Sequence, residues 1–459
     1  MTEIVNICDI KTRLIDGVTS LVKNTQVSKR IFRIEFEISS IELLAWLDNQ
    51  SDKTKIYFSG KDNDDFVVAA IGITNLIENN NQNTHKNSIK KIMSLVIDSK
   101  LKYYGGIAFP EKNIGAEWKS FGKLKFILPM FEIIRSKDKT YFACNVSVDD
   151  SFKLSEFIKK ANILVFNLKD KFMGKNISKP IKRTMYPDYN KWENTINEIT
   201  NGIDAGNYNK IVMARKLIYE FQDDINPIAL LKELKKNVSN RYCFLFQFKI
   251  KESFLGISME RLYRRVSKDI QSEAVAGSIE RGKNNNSDTA LSNILLNSTK
   301  NNDEQAFVEI FVNDQLSRLC SKLQVSNREI LTLRESFHIK SEFYGEIKET
   351  ITDWDIIKAL HPTPAVGGTP WSIVANLIYE YEQFFRGWYA GIVGYIGEDS
   401  ADFSVALRSG LLYNKTLSLY TGVGIVKGSQ PEREWDEGNW KVKNYEEIFV
   451  DGYGNYPES

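Results

Sequence analysis

The stretch LHPTPAVGGTPW, residues 360–371, concentrates residues that restrict or release the backbone. Two prolines flank Thr363, and Gly367 and Gly368 follow shortly after. Proline fixes φ and glycine accepts positive φ, so the run predicts a rigid turn with permissive geometry at the two glycines. Pro370 lies near the start of a predicted helix. On composition alone the stretch is a tight strand-to-helix turn, and any further meaning depends on the motifs around it.

The composition is that of an ordinary globular protein. The chain has 459 residues, 42% hydrophobic and 26% charged, which suits two or three domains or one large α/β or α+β domain. The 61 basic and 59 acidic residues give a net charge of +2. This balance argues against a strongly basic nucleic-acid binder, and it is compatible with a local basic pocket for a small anion.

Cysteine and histidine usage indicates neither a zinc site nor a disulfide framework. The three histidines lie far apart, and the four cysteines form no CxxC pair: Cys8, Cys144, Cys243 and Cys320. The N-terminal segment has early acidic residues and no long apolar core, so we expect no signal peptide. No run of about 18 apolar residues predicts a membrane span. We therefore expect a cytoplasmic protein without membrane partners.

Apolar periodicity predicts clusters of strands separated by long helices. Ile10, Leu14 and Val18 recur at helical spacing, whereas RIFRIEFEIS (30–39) alternates as a half-buried strand does. The other predicted elements are strands at 55–60, 64–73, 124–134, 139–146, 209–221 and 240–250, a polar loop at 78–87, a connector at 178–190, and helices at 192–206, 303–323 and 371–385. Phe307 and Ile310 fall on the predicted apolar face of the helix at 303–323. This order indicates an α+β fold rather than regular βαβ winding.

An acidic cluster lies near the C-terminus in GSQPEREWDEGNWK (428–441). Ser429 and Glu432 fit a capping box, which predicts a helix start. In that helix Glu434 and Glu437 lie one turn apart on one face, with Lys441 four residues beyond. Two carboxylates on one face suit a hard cation such as Mg²⁺. The alternative is a surface Glu437–Lys441 pair, worth a few tenths of a kcal/mol.

Several motifs in order give the chain a family resemblance. They are YNKIVMARK (208–216), LHPTPAVGGTPW (360–371), RGWYAGIVGYI (386–396), VALRSGL (405–411) and GVGIVKGSQPEREWDE (422–437). Together they resemble the chorismate-utilising enzymes, and HPTPAVGG is similar to a signature of the isochorismate synthases. The resemblance is strong over 192–441 and extends weakly into the first half through YYGGIAF (103–109).

The resemblance implies an α+β fold of two large antiparallel β-sheets packed face to face with outer helices. Residues 1–190 would contribute strands and helices to this fold, and residues 191–459 would form the chorismate-binding region of the same structural domain. The implied activity is Mg²⁺-dependent conversion of chorismate to isochorismate, by water addition at C2 with loss of the C4 hydroxyl. Such a reaction needs a base, an acid and positive charge at a carboxylate.

The resemblance also assigns the catalytic groups. Lys210 in KIVMAR corresponds to the family's water-activating base, and a lysine serves as a base only when burial or neighbouring cations lower its pKa. Glu260 in FLGISMERL corresponds to the general acid, which needs a raised pKa. Met259 stands where the family usually has proline, so the local turn is expected to differ.

The Mg²⁺ ligands implied by the resemblance are Glu304 and Glu437, with Glu434 near the ion as support. Gln305 stands where the family commonly has histidine. The other residues that match pocket positions are Arg408, Tyr389, Gly422, Gly424, Lys441, Ala276, Gly277, Ser278, His361 and Thr363. Arg408 and Tyr389 match positions that bind the enolpyruvyl carboxylate, for which an arginine fork is suited. For His361 and for His338 a purely structural role is the alternative.

Four other functions are alternatives to isochorismate synthase. A salicylate synthase would keep Lys210 and Glu260 and go on to eliminate pyruvate. Anthranilate and aminodeoxychorismate synthases normally lack a lysine at this position and need a glutamine amidotransferase partner, which we do not expect here. A non-catalytic chorismate- or metal-binding protein is the alternative outside the enzymes, with Met259 and Gln305 as marks of decay. We expect a monomer, and the sequence leaves a menaquinone or a siderophore pathway open.

Overall fold

The computed structural model describes residues 4–24, 30–61, 66–149, 151–166, 177–236, 238–282 and 285–449. The strands in chain order are β1 (Arg30–Ile38), β2 (Lys55–Ser59), β3 (Val67–Ile71), β4 (Asn75–Glu78), β5 (Lys102–Ile107), β6 (Leu124–Leu128), β7 (Phe131–Ser136), β8 (Lys139–Val148), β9 (Lys182–Tyr186), β10 (Lys210–Glu220), β11 (Tyr242–Lys249), β12 (Glu252–Ser258), β13 (Arg261–Val266), β14 (Asp269–Glu280), β15 (Cys320–Val325), β16 (Glu329–Thr332), β17 (Ser336–Ile347), β18 (Gly368–Thr369), β19 (Ile392–Gly397), β20 (Ser400–Val405), β21 (Ser409–Tyr413) and β22 (Thr416–Ile425).

Helices connect and cover these strands. They are α1 (Ile10–Asn24), α2 (Leu43–Asn49), α3 (His85–Val96), α4 (Leu154–Asn162), α5 (Tyr189–Asp204), α6 (Pro227–Lys235), α7 (Asn285–Asn297), α8 (Thr299–Leu319), α9 (Asp353–Leu360), α10 (Trp371–Tyr381), α11 (Pro431–Trp440) and α12 (Lys443–Glu446), with short 3₁₀ turns at Ile7–Asp9, Gln82–Thr84 and Ala116–Trp118. Over the described ranges, no helix is long and apolar enough to cross a bilayer.

The strands form two large antiparallel sheets. The first has twelve strands in the order β1-β8-β7-β3-β2-β11-β12-β21-β22-β10-β18, with β9 also paired to β10. The second has ten, in the order β15-β17-β14-β13-β20-β19-β5-β6-β4, with β16 also paired to β17. Each sheet joins strands from before and after residue 190. The α+β architecture predicted from the sequence is confirmed.

The two sheets pack face to face over one apolar core. Phe58 of β2 meets Tyr395 of β19 edge-on, with ring centroids 6.0 Å apart. Strand β11 shows why its sequence, YCFLFQFK, is an almost continuous apolar run. Side chains alternate between faces, so Phe244 faces the core between the sheets while Leu245 packs into a second core against the helices outside. A strand buried on both faces needs apolar residues at successive positions.

The predicted elements of the N-terminal half are largely confirmed. Helix α1 buries Ile10, Leu14 and Val18 in the outer core, as their spacing predicts. The alternating run 30–39 forms β1, which pairs along its whole length with β8. The polar loop predicted at 78–87 is shorter than expected, because α3 begins at His85.

Two other predictions are wrong in detail. The predicted connector 178–190 contains β9, which pairs with one end of β10. The helix predicted at 303–323 is α8, which begins and ends four residues earlier and is followed by β15. Its buried residues are Gln305, Val308, Val312 and Leu316, whereas Ile310 is 60% exposed. Because the polar Gln305 belongs to the buried face of α8, the spacing of apolar residues alone predicted the wrong buried face.

Candidate active site

A cavity opens between the two sheets where β10 and β22 of the first lie near β14 and β17 of the second. Eleven of the fifteen predicted site residues line it, namely Glu260, Ala276, Gly277, Ser278, Glu304, Tyr389, Arg408, Gly422, Gly424, Glu437 and Lys441. The other four are Lys210, His361, Thr363 and Glu434. Lys210 forms an ion pair with Glu304, Thr363 donates a hydrogen bond to Glu260, and Glu434 is close enough to Glu437 to feel its charge.

The opening stretch of the sequence supports the strand that carries Lys210. Gly368 and Thr369 form β18, which pairs with Ile211 and Lys210 of β10. Gly368 has φ +132°, and a Cβ there would lie 2.4 Å from the Lys210 carbonyl oxygen. Only glycine meets both conditions. The prediction of a strand-to-helix turn is wrong in its first element, because helix α9 runs up to Leu360 and the stretch connects it to α10. Within the stretch, β18 lies beside the start of β10 at the cavity.

Lys210 is fully buried and points toward Glu304. Its Nζ lies 3.1 Å from Oε1 of Glu304, yet it makes no hydrogen bond within the described part of the chain. Gly424 allows this approach. A Cβ at that position would lie 2.2 Å from Oε1 of Glu304 and 3.0 Å from Cε of Lys210. The glycine leaves room for the lysine and the carboxylate to meet at the cavity wall.

Glu260 lies between β12 and β13 and is only 2% exposed. Its Oε1 accepts a hydrogen bond from Oγ1 of Thr363 at 3.4 Å, so the opening stretch also touches this carboxyl group. Burial first, and then the nearby Glu273 carboxylate, raises the pKa of Glu260 to about 8, while Lys210 acts in the opposite direction. At neutral pH the group is mostly protonated and is able to donate a proton.

Each of the three predicted metal ligands is paired with a different lysine. Besides the Lys210–Glu304 pair, Nζ of Lys441 lies 2.6 Å from Oε1 of Glu437, and Lys300 forms an ion pair with Glu434. The last two carboxylates belong to α11, the helix predicted from the acidic cluster. The arrangement keeps three carboxyl groups close to the cavity.

The two carboxylates of α11 differ in charge state. Burial alone would raise the pKa of Glu437, but the Lys441 ammonium group and its hydrogen bond hold it below the usual value. Glu437 also accepts a hydrogen bond from Oγ of Ser278 at 2.8 Å. Burial and the neighbouring Glu437 raise the pKa of Glu434 to about 7, although Lys300 opposes this. Glu437 is therefore the better anion of the two.

The donor set suits Mg²⁺. Glu304 and Glu437 line the same cavity, and Mg²⁺ typically takes only one or two protein carboxylates together with waters or substrate oxygens. The missing Cβ at Gly424 leaves space for the Glu304 carboxylate. The described residues contain no group of three or more His, Cys, Asp or Glu side chains arranged around one ion. Glu434 does not line the cavity, which fits its predicted place as a support.

Arg408 and Tyr389 also line the cavity. Nη1 of Arg408 donates to the backbone oxygen of Lys441 at 2.7 Å, while its buried Nη2 has no partner among the described residues. Burial lowers the pKa of Arg408 to about 10, so the group remains a cation at neutral pH. The Tyr389 ring stacks on Tyr420 with centroids 5.2 Å apart. A cation with an unused donor suits a carboxylate ligand.

Sequence comparison agrees with this geometry. The model described as "Chorismate binding enzyme" matches residues 17–449. The chain belongs to the chorismate-binding enzyme family. The predicted resemblance to chorismate-utilising enzymes is thereby confirmed.

Relatives of this chorismate-binding enzyme carry one recurrent name. The isochorismate synthase MenF of Bacillus subtilis is 31% identical over 74% of this chain and 73% of its own length. The chloroplastic isochorismate synthase of Catharanthus roseus is 28% identical over 95% of this chain and 84% of its own length. The solved structure of MenF, the menaquinone-specific isochorismate synthase from Escherichia coli, superposes with a TM-score of 0.82 at 24% identity, covering 96% of this chain and 99% of that chain.

The two C-terminal histidines of this chorismate-binding enzyme are neutral. His338 lines the cavity, and its Nε2 is 3.0 Å from Oγ of Ser336. Burial, and then the Arg408 and Lys441 cations, lower its pKa well below the usual value. His361 does not line the cavity, and burial lowers its pKa to about 3. Neither histidine carries charge at neutral pH, so each acts there through shape or neutral hydrogen bonds.

The sequence did not indicate the structural role of Gln305, which lies near the site. Gln305 is fully buried on α8, next to Glu304. Its Oε1 accepts from the Ala276 backbone N–H at 2.8 Å, and its Nε2 donates to the Ala274 oxygen at 3.0 Å. These bonds fix α8 against β14 of the chorismate-binding enzyme. Gln305 therefore has a definite structural partner, which does not support the interpretation of this position as decay.

Proposed function

We propose that this protein is an isochorismate synthase, which adds water at C2 of chorismate while the C4 hydroxyl leaves. One observation carries the proposal. The buried Lys210 and the protonated Glu260 belong to one site, close enough for the lysine to influence the pKa of the acid. An addition and a departure on one ring need a base and an acid together, and this pair supplies candidates for both.

Lys210 would accept the proton of the attacking water. Its buried Nζ makes no hydrogen bond to a described residue but lies 3.1 Å from Oε1 of Glu304. An amine accepts a proton only in its neutral form, so this ion pair would have to open when the substrate is bound. Glu260 would donate a proton to the departing C4 hydroxyl, because its raised pKa keeps the proton on the carboxyl group at neutral pH. Thr363 would hold the acid in place through its hydrogen bond.

The substrate carboxylates would be held by the cationic parts of the cavity. Arg408 and Tyr389 line the cavity and would bind the enolpyruvyl carboxylate. Gly422, Gly424 and the 276–278 segment bring backbone close to the cavity, and Lys441 adds a second cation. His361 and Thr363 would shape the region behind the acid.

Glu304 and Glu437 would hold Mg²⁺, with Glu434 as a supporting group. When bound, Mg²⁺ supplies positive charge that pins and neutralises the ring carboxylate of the substrate. Titration calorimetry with Mg²⁺ alone would test the ligands independently of activity. Glu434→Gln, which changes a supporting group, should weaken Mg²⁺ binding about 10- to 100-fold, and Glu437→Gln, which changes a direct ligand, should weaken it more. Equal effects of the two variants would contradict the assignment.

Product analysis tests the function itself. Purified protein is incubated with chorismate, with Mg²⁺ or with EDTA, and the products are separated by liquid chromatography. We expect isochorismate with Mg²⁺, and loss of turnover with EDTA. Stoichiometric pyruvate would favour a salicylate synthase instead, and no turnover under any condition would favour a non-catalytic binding protein.

We further propose that the chain works alone as one structural domain in the cytoplasm. Both sheets join strands from 1–190 and 191–459, which supports one cooperative unit. We expect a monomer that needs no glutamine amidotransferase subunit. Size-exclusion chromatography with light scattering would test the monomer, and turnover by the purified chain without ammonia or glutamine would test its independence.

A further inference from the structure

A buried ion pair joins the two sheets next to Glu260. Lys61 follows β2 of the first sheet, and Glu273 belongs to β14 of the second; each is only 1% exposed. Nζ of Lys61 lies 2.8 Å from Oε1 and 2.6 Å from Oε2 of Glu273. No function described above uses either side chain.

The pair also bonds the backbone on both sides of Glu260. Nζ of Lys61 donates to the backbone oxygen of Met259 at 2.7 Å. Oε2 of Glu273 accepts from the backbone N–H of Arg261 at 3.1 Å. The residue before the acid is therefore tied to the lysine, and the residue after it to the carboxylate.

We propose that Lys61 and Glu273 form a clamp that positions Glu260 for proton donation, and that the N-terminal half serves the reaction through Lys61. This inference rests on the proposed function of Glu260. Lys61 and Glu273 are positioning residues, since their contacts reach the acid through its neighbours. The clamp takes the place of the rigid turn that a proline at 259 would give, because Met259 leaves the backbone free to rotate.

The electrostatics of the pair support a role beyond anchoring. The charged groups that act on Glu260 are Glu273, Lys210 and Lys61. Glu273 has the largest effect among them and raises the pKa of Glu260, whereas the two lysines lower it. The clamp thus places a fixed negative charge near the acid and helps to keep it protonated.

Stability alone is a weak reason for such a pair. Replacing a buried ion pair by apolar residues of similar volume is often neutral for folding or stabilising, whereas removing one partner leaves an unpaired buried charge. The double variant Lys61→Met/Glu273→Met therefore removes the clamp with the least risk to the fold. A second variant, Glu273→Gln, keeps an acceptor oxygen for Arg261 and Lys61 but removes the negative charge.

The test measures kcat, KM and the pH profile of kcat/KM with chorismate and Mg²⁺, together with the melting temperature. In the double variant we expect kcat to fall about 10- to 100-fold, as for a displaced catalytic group, with KM for chorismate nearly unchanged. In Glu273→Gln we expect a smaller loss of kcat. In both variants the alkaline fall of kcat/KM should move to lower pH, which a purely structural effect would not produce.

A matched control comes from another buried pair. Arg33 and Glu132 are paired at 2.9 Å and lie on β1 and β7, at least four strands from β12 in the first sheet. In Arg33→Met/Glu132→Met the alkaline fall of kcat/KM should occur at the same pH as in the wild type. The inference is overturned if the folded double variant keeps wild-type kcat and pH profile, or if the control shifts the profile equally.

The outcomes separate this inference from the proposed function. If the wild type converts chorismate and the clamp variants have the same kinetics, only the clamp proposal is overturned. Formation of a different product revises the function, while the comparison of pH profiles still judges the clamp. Absence of any wild-type turnover overturns both.

Discussion

Nζ of Lys210 lies 3.1 Å from Oε1 of Glu304, so the proposed base and a proposed metal ligand form an ion pair inside the protein. The contact depends on the absence of a Cβ atom at Gly424. Glu304, the proposed metal ligand, is therefore also a close charged neighbour of Lys210, the proposed base. Changes at either residue should therefore affect both Mg²⁺ binding and the chemical step.

Lys210→Ala should remove the proposed base. We expect kcat to fall about 10²- to 10⁴-fold, the usual contribution of a general base, while the affinity for chorismate changes much less. Lys322→Met is a suitable control, because that side chain is 82% exposed, and it should retain wild-type kinetics. Full activity of folded Lys210→Ala would show that the mechanism is wrong even within the right family.

The pH dependence should report on Glu260. Its pKa of about 8 predicts that kcat/KM falls as pH rises above about 8, by about tenfold per pH unit, because the proton to be donated is lost. Glu260→Gln should have strongly reduced kcat and should lose this limb. A wild-type alkaline limb that persists unchanged in the residual activity of Glu260→Gln would assign it to another group.

The same shift has a consequence for folding. A carboxyl group whose pKa is higher in the folded than in the unfolded chain binds more protons when folded, so its contribution to stability is lost as pH rises toward 8. The glutamine of Glu260→Gln carries no titratable proton. The melting temperature of Glu260→Gln relative to wild type should therefore increase between pH 6 and pH 9, and a constant difference would contradict the raised pKa.

The local structure around the cavity is predictable from the sequence where it lies within contiguous motifs. The opening stretch was predicted as a turn from its prolines and glycines, and Gly368 does pair β18 with the strand of Lys210. The acidic cluster forms the predicted helix α11, but the predicted Ser429–Glu432 capping box is wrong, because the N-cap is Gln430 and it makes no side-chain cap hydrogen bond. These features depend on local backbone preferences and short spacings, which a single sequence displays directly.

The features that sequence reasoning missed depend on distant contacts or on polar burial. Lys61 meets Met259 and Glu273 across 198 and 212 residues of chain, and no local pattern signals such a contact. Among the described strands β9 pairs with β10 alone, and an edge strand needs less of the apolar alternation that marks a core strand. The register of α8 was wrong because its buried face includes Gln305.

Gln305 should stabilise the packing of α8 on β14. Gln305→Leu would leave the Ala276 N–H and the Ala274 carbonyl without their present partners, at a cost of about 1–3 kcal/mol for each buried group. We expect the midpoint of urea unfolding to fall, and Mg²⁺ binding to weaken because Glu304 is the adjacent residue. Gln324→Ala on β15 changes an exposed glutamine and should have little effect. Unchanged stability of Gln305→Leu would mean that the two bonds contribute nothing.

Two glycines of β22 offer a matched pair of steric tests. A Cβ at Gly424 would lie 2.2 Å from Oε1 of Glu304, and one at Gly422 would lie 2.7 Å from the Tyr389 hydroxyl. Gly424→Ala should displace Glu304 from the lysine, which lowers kcat about 10- to 100-fold and weakens Mg²⁺ binding measured by calorimetry without substrate.

Gly422→Ala should instead move Tyr389, which belongs to the proposed carboxylate site. We expect a higher KM for chorismate with Mg²⁺ affinity close to that of the wild type. The two variants share one strand, one substitution and the same added volume, so a general effect on folding would change them alike. If both variants lost Mg²⁺ affinity equally, the division of the cavity into a metal side around Glu304 and a carboxylate side around Tyr389 would be wrong.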